Sequence, residues 1–167
     1  MRSKLDRFEV GQIVDDLETG KLDQVRSRLP LHAQDMVYVA VETLEAGPLD
    51  AFVLLLDHGL DVDGVEGVTS LLAHAAGEGR ADVVNLLLSR GASLKGVPLV
   101  AAVQGGNIDA VRMLLAAGAH VDRGNRGFPT PLKMARMMKR PDIEELLVEH
   151  GATELVGKGA AHSSEGE

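Results

Sequence analysis

An all-α repeat, a solenoid of short helix pairs, is the fold class that this sequence predicts, and three observations carry it. Gly20, Gly47, Gly79 and Gly106 are each followed three residues later by an aspartate, at Asp23, Asp50, Asp82 and Asp109, and Lys139 stands in the same relation to Asp142. Beyond each of the last four of these five anchors, twelve residues on, comes another glycine: Gly59, Gly91, Gly118 and Gly151. Between anchor and closing glycine lie the apolar clusters Leu54-Leu55-Leu56, Leu86-Leu87-Leu88, Met113-Leu114-Leu115 and Leu146-Leu147-Val148. The anchors are spaced by 27, 32, 27 and 33 residues, and self-similarity at such a period marks a repeat architecture.

Each recurring position has a physical task. A helix of two to three turns that starts near the aspartate places an acid in its first turn, against the positive end of the helix dipole. The same helix ends at a residue that must accept a left-handed conformation, which glycine does without cost. Pro48 and Pro141 stand near the starts of two such helices, where a missing N–H is harmless. The stretches 37–46, 70–78, 97–105 and 131–138 read as the companion helices. Ala75, Ala76, Ala101, Ala102 and Ala135 on them allow close approach to their neighbours. Two helices and a loop, repeated, make an α-solenoid of five helix pairs.

Thr130-Pro131-Leu132-Lys133-Met134-Ala135 resembles the T-P-L-H-x-A opening of the ankyrin repeat. Val83-Val84-Asn85-Leu86-Leu87-Leu88-Ser89-Arg90-Gly91-Ala92 is similar to that family's second helix with its closing Gly-Ala, and the pairs Gly118-Ala119 and Gly151-Ala152 repeat the ending. The resemblance implies one ankyrin α-solenoid domain over residues 1–155 with short hairpin loops. Its units run over 1–33, 34–66, 67–95, 96–126 and 127–155, and a disordered tail is expected at 156–167. No unit has the family's histidine, whose place is taken by Val41, Ala73, Val100 and Lys133. The connection from Gly91 to Pro98 is six residues shorter than that from Gly118 to Pro131, so one hairpin is expected to shrink to a turn. Unit 1 keeps only Gly20, Leu22 and Asp23 of the pattern and reads as an N-terminal cap. Unit 5 reads as the opposite cap, because Arg136 replaces Ala76 and Val103 and its second helix carries Glu144, Glu145 and Glu149.

The chain has 167 residues, with 17 Lys and Arg against 25 Asp and Glu, for a formal net charge of -8. Aliphatic residues must fill the core, since there are only three phenylalanines, one tyrosine and no tryptophan. Residues 31–91 hold 10 acids and 2 bases, whereas six bases and no acid lie between Asp122 and Asp142. The molecule is therefore electrically bipolar, and an acidic balance argues against general nucleic-acid binding. The absence of cysteine removes disulfides and thiolate chemistry, and fits a cytoplasmic protein. Residues 1–10 lack the apolar stretch of a secretory signal. No apolar run approaches the ~20 residues of a membrane span, so no membrane partner is expected.

Little in the chain suggests catalysis. The repeated aspartates satisfy helix starts, and His58 and His150 each precede a closing glycine, where a helix terminus favours an imidazole. His32, His74, His120 and His162 have no metal-binding spacing, so no metal and no cofactor are expected. Asp61-Val62-Asp63-Gly64 resembles part of a calcium loop, but Leu72 occupies the position of the chelating glutamate. What remains is surface. In the ankyrin family a protein partner lies across the concave face, made of hairpin tips and first-helix ends. The resemblance implies partner-binding roles for Glu45, Glu78, Gln104, Met137 and Met138 at helix ends. It implies the same for Asp61, Asp63 and Glu66 on one hairpin tip, and for Arg123, Asn125, Arg126 and Phe128 on another. The expected function is a monomeric, non-catalytic interaction module for a basic or bipolar protein. The alternative is a stoichiometric inhibitor or immunity protein that masks an effector enzyme.

Overall fold

The computed structural model describes residues 5–29, 31, 33–66, 69–95, 97–122 and 129–153, with only the backbone at Val65 and Glu66. The expected tail, 156–167, lies outside the described residues.

Ten helices occur among the described residues: α1 (Arg7–Glu18), α2 (Leu22–Arg28), α3 (Ala33–Glu42), α4 (Leu49–Asp57), α5 (Leu71–Gly77), α6 (Ala81–Ser89), α7 (Pro98–Gly105), α8 (Ile108–Ala116), α9 (Pro131–Met137) and α10 (Pro141–Glu149). The two short strands β1 (Val65–Glu66) and β2 (Thr69–Ser70) form an antiparallel hairpin that pairs Val65 with Ser70 and Glu66 with Thr69. Odd-numbered helices pack on one another in the order α1, α3, α5, α7, α9, and even-numbered ones in the order α2, α4, α6, α8, α10. Each odd helix also packs on the even helix that follows it. Two parallel rows of helices around one continuous core result, which is the layout of a solenoid.

The local signals behave as their chemistry requires. Asp23, Asp50, Asp82, Asp109 and Asp142 all lie in the first turn of an even helix. Gly91 takes φ +85°, which lets the Ala92 N–H donate back to the Leu87 carbonyl at 2.9 Å and close α6. The same bond recurs from Ala119 to Leu114 and from Ala152 to Leu147, both at 2.9 Å. Ser70 and Thr130 cap α5 and α9 by accepting the N–H groups of Ala73 and Lys133.

Phe52, Leu55, Leu72, Leu87, Leu114, Ile143 and Leu147 are fully buried, and so are Ala75, Ala76, Ala102 and Ala135. Ala101 is only half-buried. The shortened connection between α6 and α7 contains no strand among the described residues. At the far end, Arg136 is exposed and its Nε donates to Glu144 at 2.7 Å, whereas Ala76 and Val103 in the same register are buried. Here the outer face meets water.

Two departures from the sequence reading concern the first half. The helix expected over 37–46 runs instead from Ala33 to Glu42, because Asp35, Met36 and Val37 are buried in its first turns. Its end is a tightened turn: the Leu44 N–H donates to the Val41 carbonyl at 3.1 Å and the Gly47 N–H to the Thr43 carbonyl at 2.8 Å, while the Thr43 hydroxyl donates to the Val39 carbonyl at 2.6 Å beside the backbone bond. Gly47 therefore differs from the other glycine anchors. Its φ is not left-handed; an added Cβ would lie 2.7 Å from the Thr43 carbonyl oxygen, so lack of room selects glycine. Before the first anchor, Asp6 and Glu9 form a reciprocal capping box that starts the 12-residue α1.

Candidate functional site

The odd helices end in a row, because each packs on the next odd helix and all run into a turn at a similar register. Glu45, Glu78 and Gln104 are exposed at or just beyond the ends of α3, α5 and α7. Met137 and Met138, at the end of α9, are 62% and 47% exposed, unusual values for large apolar side chains. Five of the expected site residues thus form one line. Glu42 on α3 and Asp15 on α1 are exposed along the same row and extend its acidic half, which the sequence reading did not include. At the other end of the row stand Lys139 and the two methionines; Lys133 and Arg136 are exposed on the terminal face, in registers where Ala73, Val100, Ala76 and Val103 are buried.

The middle of the row is backbone. Gly77 and Gly105 face each other so closely that a Cβ on Gly105 would collide with the Gly77 carbonyl oxygen. Asn107 fastens this contact, its Nδ2 donating to the carbonyls of Gly77 at 2.8 Å and Ala76 at 3.1 Å. One register earlier Arg80 does similar work. Its Nη1 donates to the Leu44 carbonyl at 2.9 Å, and its guanidinium grips Asp82 through Nε at 3.0 Å and Nη2 at 2.9 Å. The same guanidinium lies 5.4 Å from the centre of the Phe52 ring. Arg140 repeats the fork onto Asp142, at 3.1 and 2.8 Å. These hydrogen bonds hold the carboxyls of Asp82 and Asp142 below the usual carboxylate range, and that to Asp142 raises Arg140. Inter-unit bonds absent with the family's histidine are thus made, at two boundaries, from the residues that follow Gly79 and Gly106. The shared spacing to the helix-start aspartate is the signal that could have found these residues.

The hairpin acids have a structural part. Asp61 Oδ1 accepts the Asp63 N–H at 3.0 Å, and Asp63 Oδ1 accepts the Ser93 N–H at 2.7 Å, tying one loop to the next. The last loops are joined in the same way, where Asp122 accepts the Thr153 N–H at 2.9 Å and its hydroxyl at 2.8 Å. In both cases the aspartate lies four residues past one closing glycine and its donor two residues past the next. Asp61 and Asp63 remain exposed in the loop between α4 and β1, which leads into the start of α5, the opposite end of that helix from Glu78. Glu66 is placed in β1 by its backbone. Arg123, Asn125, Arg126 and Phe128 lie outside the described residues.

Nδ1 of His58 donates to the Leu54 carbonyl and Nδ1 of His150 to the Leu146 carbonyl, both at 2.8 Å. Both rings close a helix end. Among the described residues no group of His, Asp and Glu is arranged to hold a metal ion, and no helix is long and apolar enough to cross a membrane.

Two rows of paired helices with an exposed line of helix ends define a helical-repeat protein. The ankyrin repeat family model matches residues 97–126, which include α7 and α8. The chain is 44% identical over 61 residues to the human 2-5A-dependent ribonuclease, across 36% of this chain and 8% of that protein. It is 33% identical over 140 residues to the mouse B-cell lymphoma 3 protein homolog, across 78% of this chain and 30% of that one. It therefore spans less than a third of the length of either relative. The chain is an ankyrin-repeat protein. Ankyrin repeats generally mediate protein–protein interaction.

Proposed function

We propose that this chain is a non-catalytic module of five units over residues 1–155 that binds a protein partner across its helix ends and hairpin tips. The observation that supports it most directly is the segregation of exposed side chains along one row. Acids (Asp15, Glu42, Glu45, Glu78) occupy the first half, Gln104 the centre, and Met137 and Met138 with Lys139 the other end. A bipolar partner meets complementary charge at both ends, and charge of this kind raises the association rate more than it lowers the dissociation rate. Methionine adapts its shape to an apolar contact. Arg123, Asn125, Arg126 and Phe128 belong to the same proposed surface through the family resemblance. We place the protein in the cytoplasm, as a monomer.

The test is affinity capture of the partner from the native cell, followed by binding kinetics at low and high salt. Glu42→Lys, Glu45→Lys and Glu78→Lys together should slow association severalfold at low salt while the fold survives, since all three side chains are exposed. An unchanged on-rate at low salt would defeat the electrostatic reading. Phe128→Ala with Arg126→Ala should weaken the complex by about 2 kcal/mol or more at a nearly constant melting temperature.

A narrower reading follows from the acidic half: a stoichiometric inhibitor, of the immunity-protein kind, that masks the active site of a basic effector enzyme. Titration of the captured partner's activity separates the two, because an inhibitor abolishes it at one equivalent and an adaptor leaves it intact.

A further inference from the structure

The chain has no cysteine and six methionines, so its sulfur is entirely thioether, the class of side chain here that peroxide oxidises readily. Among the described residues the fold sorts these thioethers. Met36 in α3 is 1% exposed and Met134 in α9 is 8% exposed, both within the core, and Met113 on α8 is half-buried against it. Met137 and Met138 are 62% and 47% exposed and stand side by side at the end of α9. A small dissolved oxidant therefore reaches this pair and is kept from the methionines of the core.

The backbone beneath the pair is closed without the two side chains. The Met138 N–H donates to the Met134 carbonyl and the Arg140 N–H to the Ala135 carbonyl, both at 2.9 Å. Below them the core is filled by Leu132, Met134, Ala135, Ile143 and Leu147. A polar atom added to Met137 or Met138 enters solvent and displaces no packed group, whereas the same atom on Met36 or Met134 would need a buried hydrogen-bond partner.

We propose that Met137 and Met138 form a site of reversible oxidation, at which peroxide gives a folded, doubly oxidised chain that methionine sulfoxide reductases restore. In each oxidation the thioether sulfur attacks one peroxide oxygen, so that an S–O bond forms as the O–O bond breaks. The sulfur gives up two electrons. The proton on the transferred oxygen passes to the departing hydroxide, which leaves as water. In the repair a dithiol of the reductase returns the two electrons and becomes a disulfide, and the oxygen leaves as water. Two reductases are required, because the sulfoxide is chiral and each enzyme takes one epimer. Oxidation places polar sulfoxide groups where the row of helix ends has its apolar end. The site goes beyond the helix-end reading and does not depend on what that row binds.

The experiment treats the full chain with dilute hydrogen peroxide and follows each methionine by peptide mass spectrometry, with thermal melting of the same samples. Cleavage after Arg136 separates Met134 from the exposed pair. Met137 and Met138 should each gain one oxygen at least about tenfold faster than Met36 and Met134. In urea, where the chain is unfolded, the four rates should converge. The doubly oxidised chain should melt within about 4 °C of the untreated one, as a change confined to the surface does. Both reductases with dithiothreitol should return the pair to thioethers. Comparable rates in the folded chain, a rate difference that persists in urea, a larger fall in melting temperature, or sulfoxides that the reductases leave in place would each overturn the proposal. No partner enters the experiment, so failure of this site and failure of the helix-end surface are separately visible.

Discussion

Asn107 donates both of its Nδ2 hydrogen bonds across a unit boundary, to the carbonyls of Gly77 at 2.8 Å and Ala76 at 3.1 Å. One side chain thereby satisfies two carbonyls at the end of α5, and it does so where Gly77 and Gly105 bring two backbones into contact.

Asn107→Ala leaves those carbonyls without their partner in a half-buried place and should cost about 1 to 3 kcal/mol in urea unfolding. Asn85→Ala, on the exposed face of α6, is the control and should fall within about 0.5 kcal/mol of the parent. Equal effects from the two would mean that Asn107 does not stitch the units.

Leu87 is fully buried in α6, while its neighbour Leu86 is half-buried. Leu87→Ala should destabilise by about 2 to 5 kcal/mol through lost burial and the cavity it leaves. Leu86→Ala should cost distinctly less in the same melting experiment. The reverse order would misplace the core.

The anchor position is left-handed both at Gly106, φ +71°, and at Lys139, φ +55°. An alanine at Gly106 meets the positive-φ penalty and the Arg140 guanidinium together, and should cost at least about 1 to 2 kcal/mol. Lys139→Gly relieves that penalty but frees the unfolded chain by about 0.4 to 1 kcal/mol. Its net effect should lie between neutral and about 1.6 kcal/mol of stabilisation, measured by thermal melting.

Asp82 and Asp142 have carboxyls held below their ordinary value by the forks from Arg80 and Arg140. The unfolded chain therefore takes up protons first as pH falls, so stability is fully present above the unfolded value of about 3.9 and is lost as pH drops towards the depressed folded values. Asp82→Asn with Asp142→Asn should flatten the acid limb of the stability curve below about pH 4. If both proteins lose stability with the same slope there, the forks do not contribute.

Much of the helical pattern could be read from the chain alone, for a local reason. The first-turn aspartates, the closing glycines at left-handed φ and the caps at Ser70 and Thr130 are settled within a few residues of each helix, so the repeat in sequence becomes a repeat in structure. The reading failed at α3, which starts at Ala33 and ends at Glu42, because burial of Asp35, Met36 and Val37 is set by packing that the local pattern does not display. Among the expected site residues, the places of Glu45, Glu78, Gln104, Met137 and Met138 at helix ends were legible from register, because a helix end that recurs in sequence recurs in space.

Tertiary structure decided the rest. Ser93 joins Asp63 and Asn107 joins Gly77 across 30 residues each, Thr153 joins Asp122 across 31, and Arg80 reaches Leu44 across 36. No local preference specifies such pairs. They form only once burial of the aliphatic faces has brought the odd helices into one row and the even helices into another.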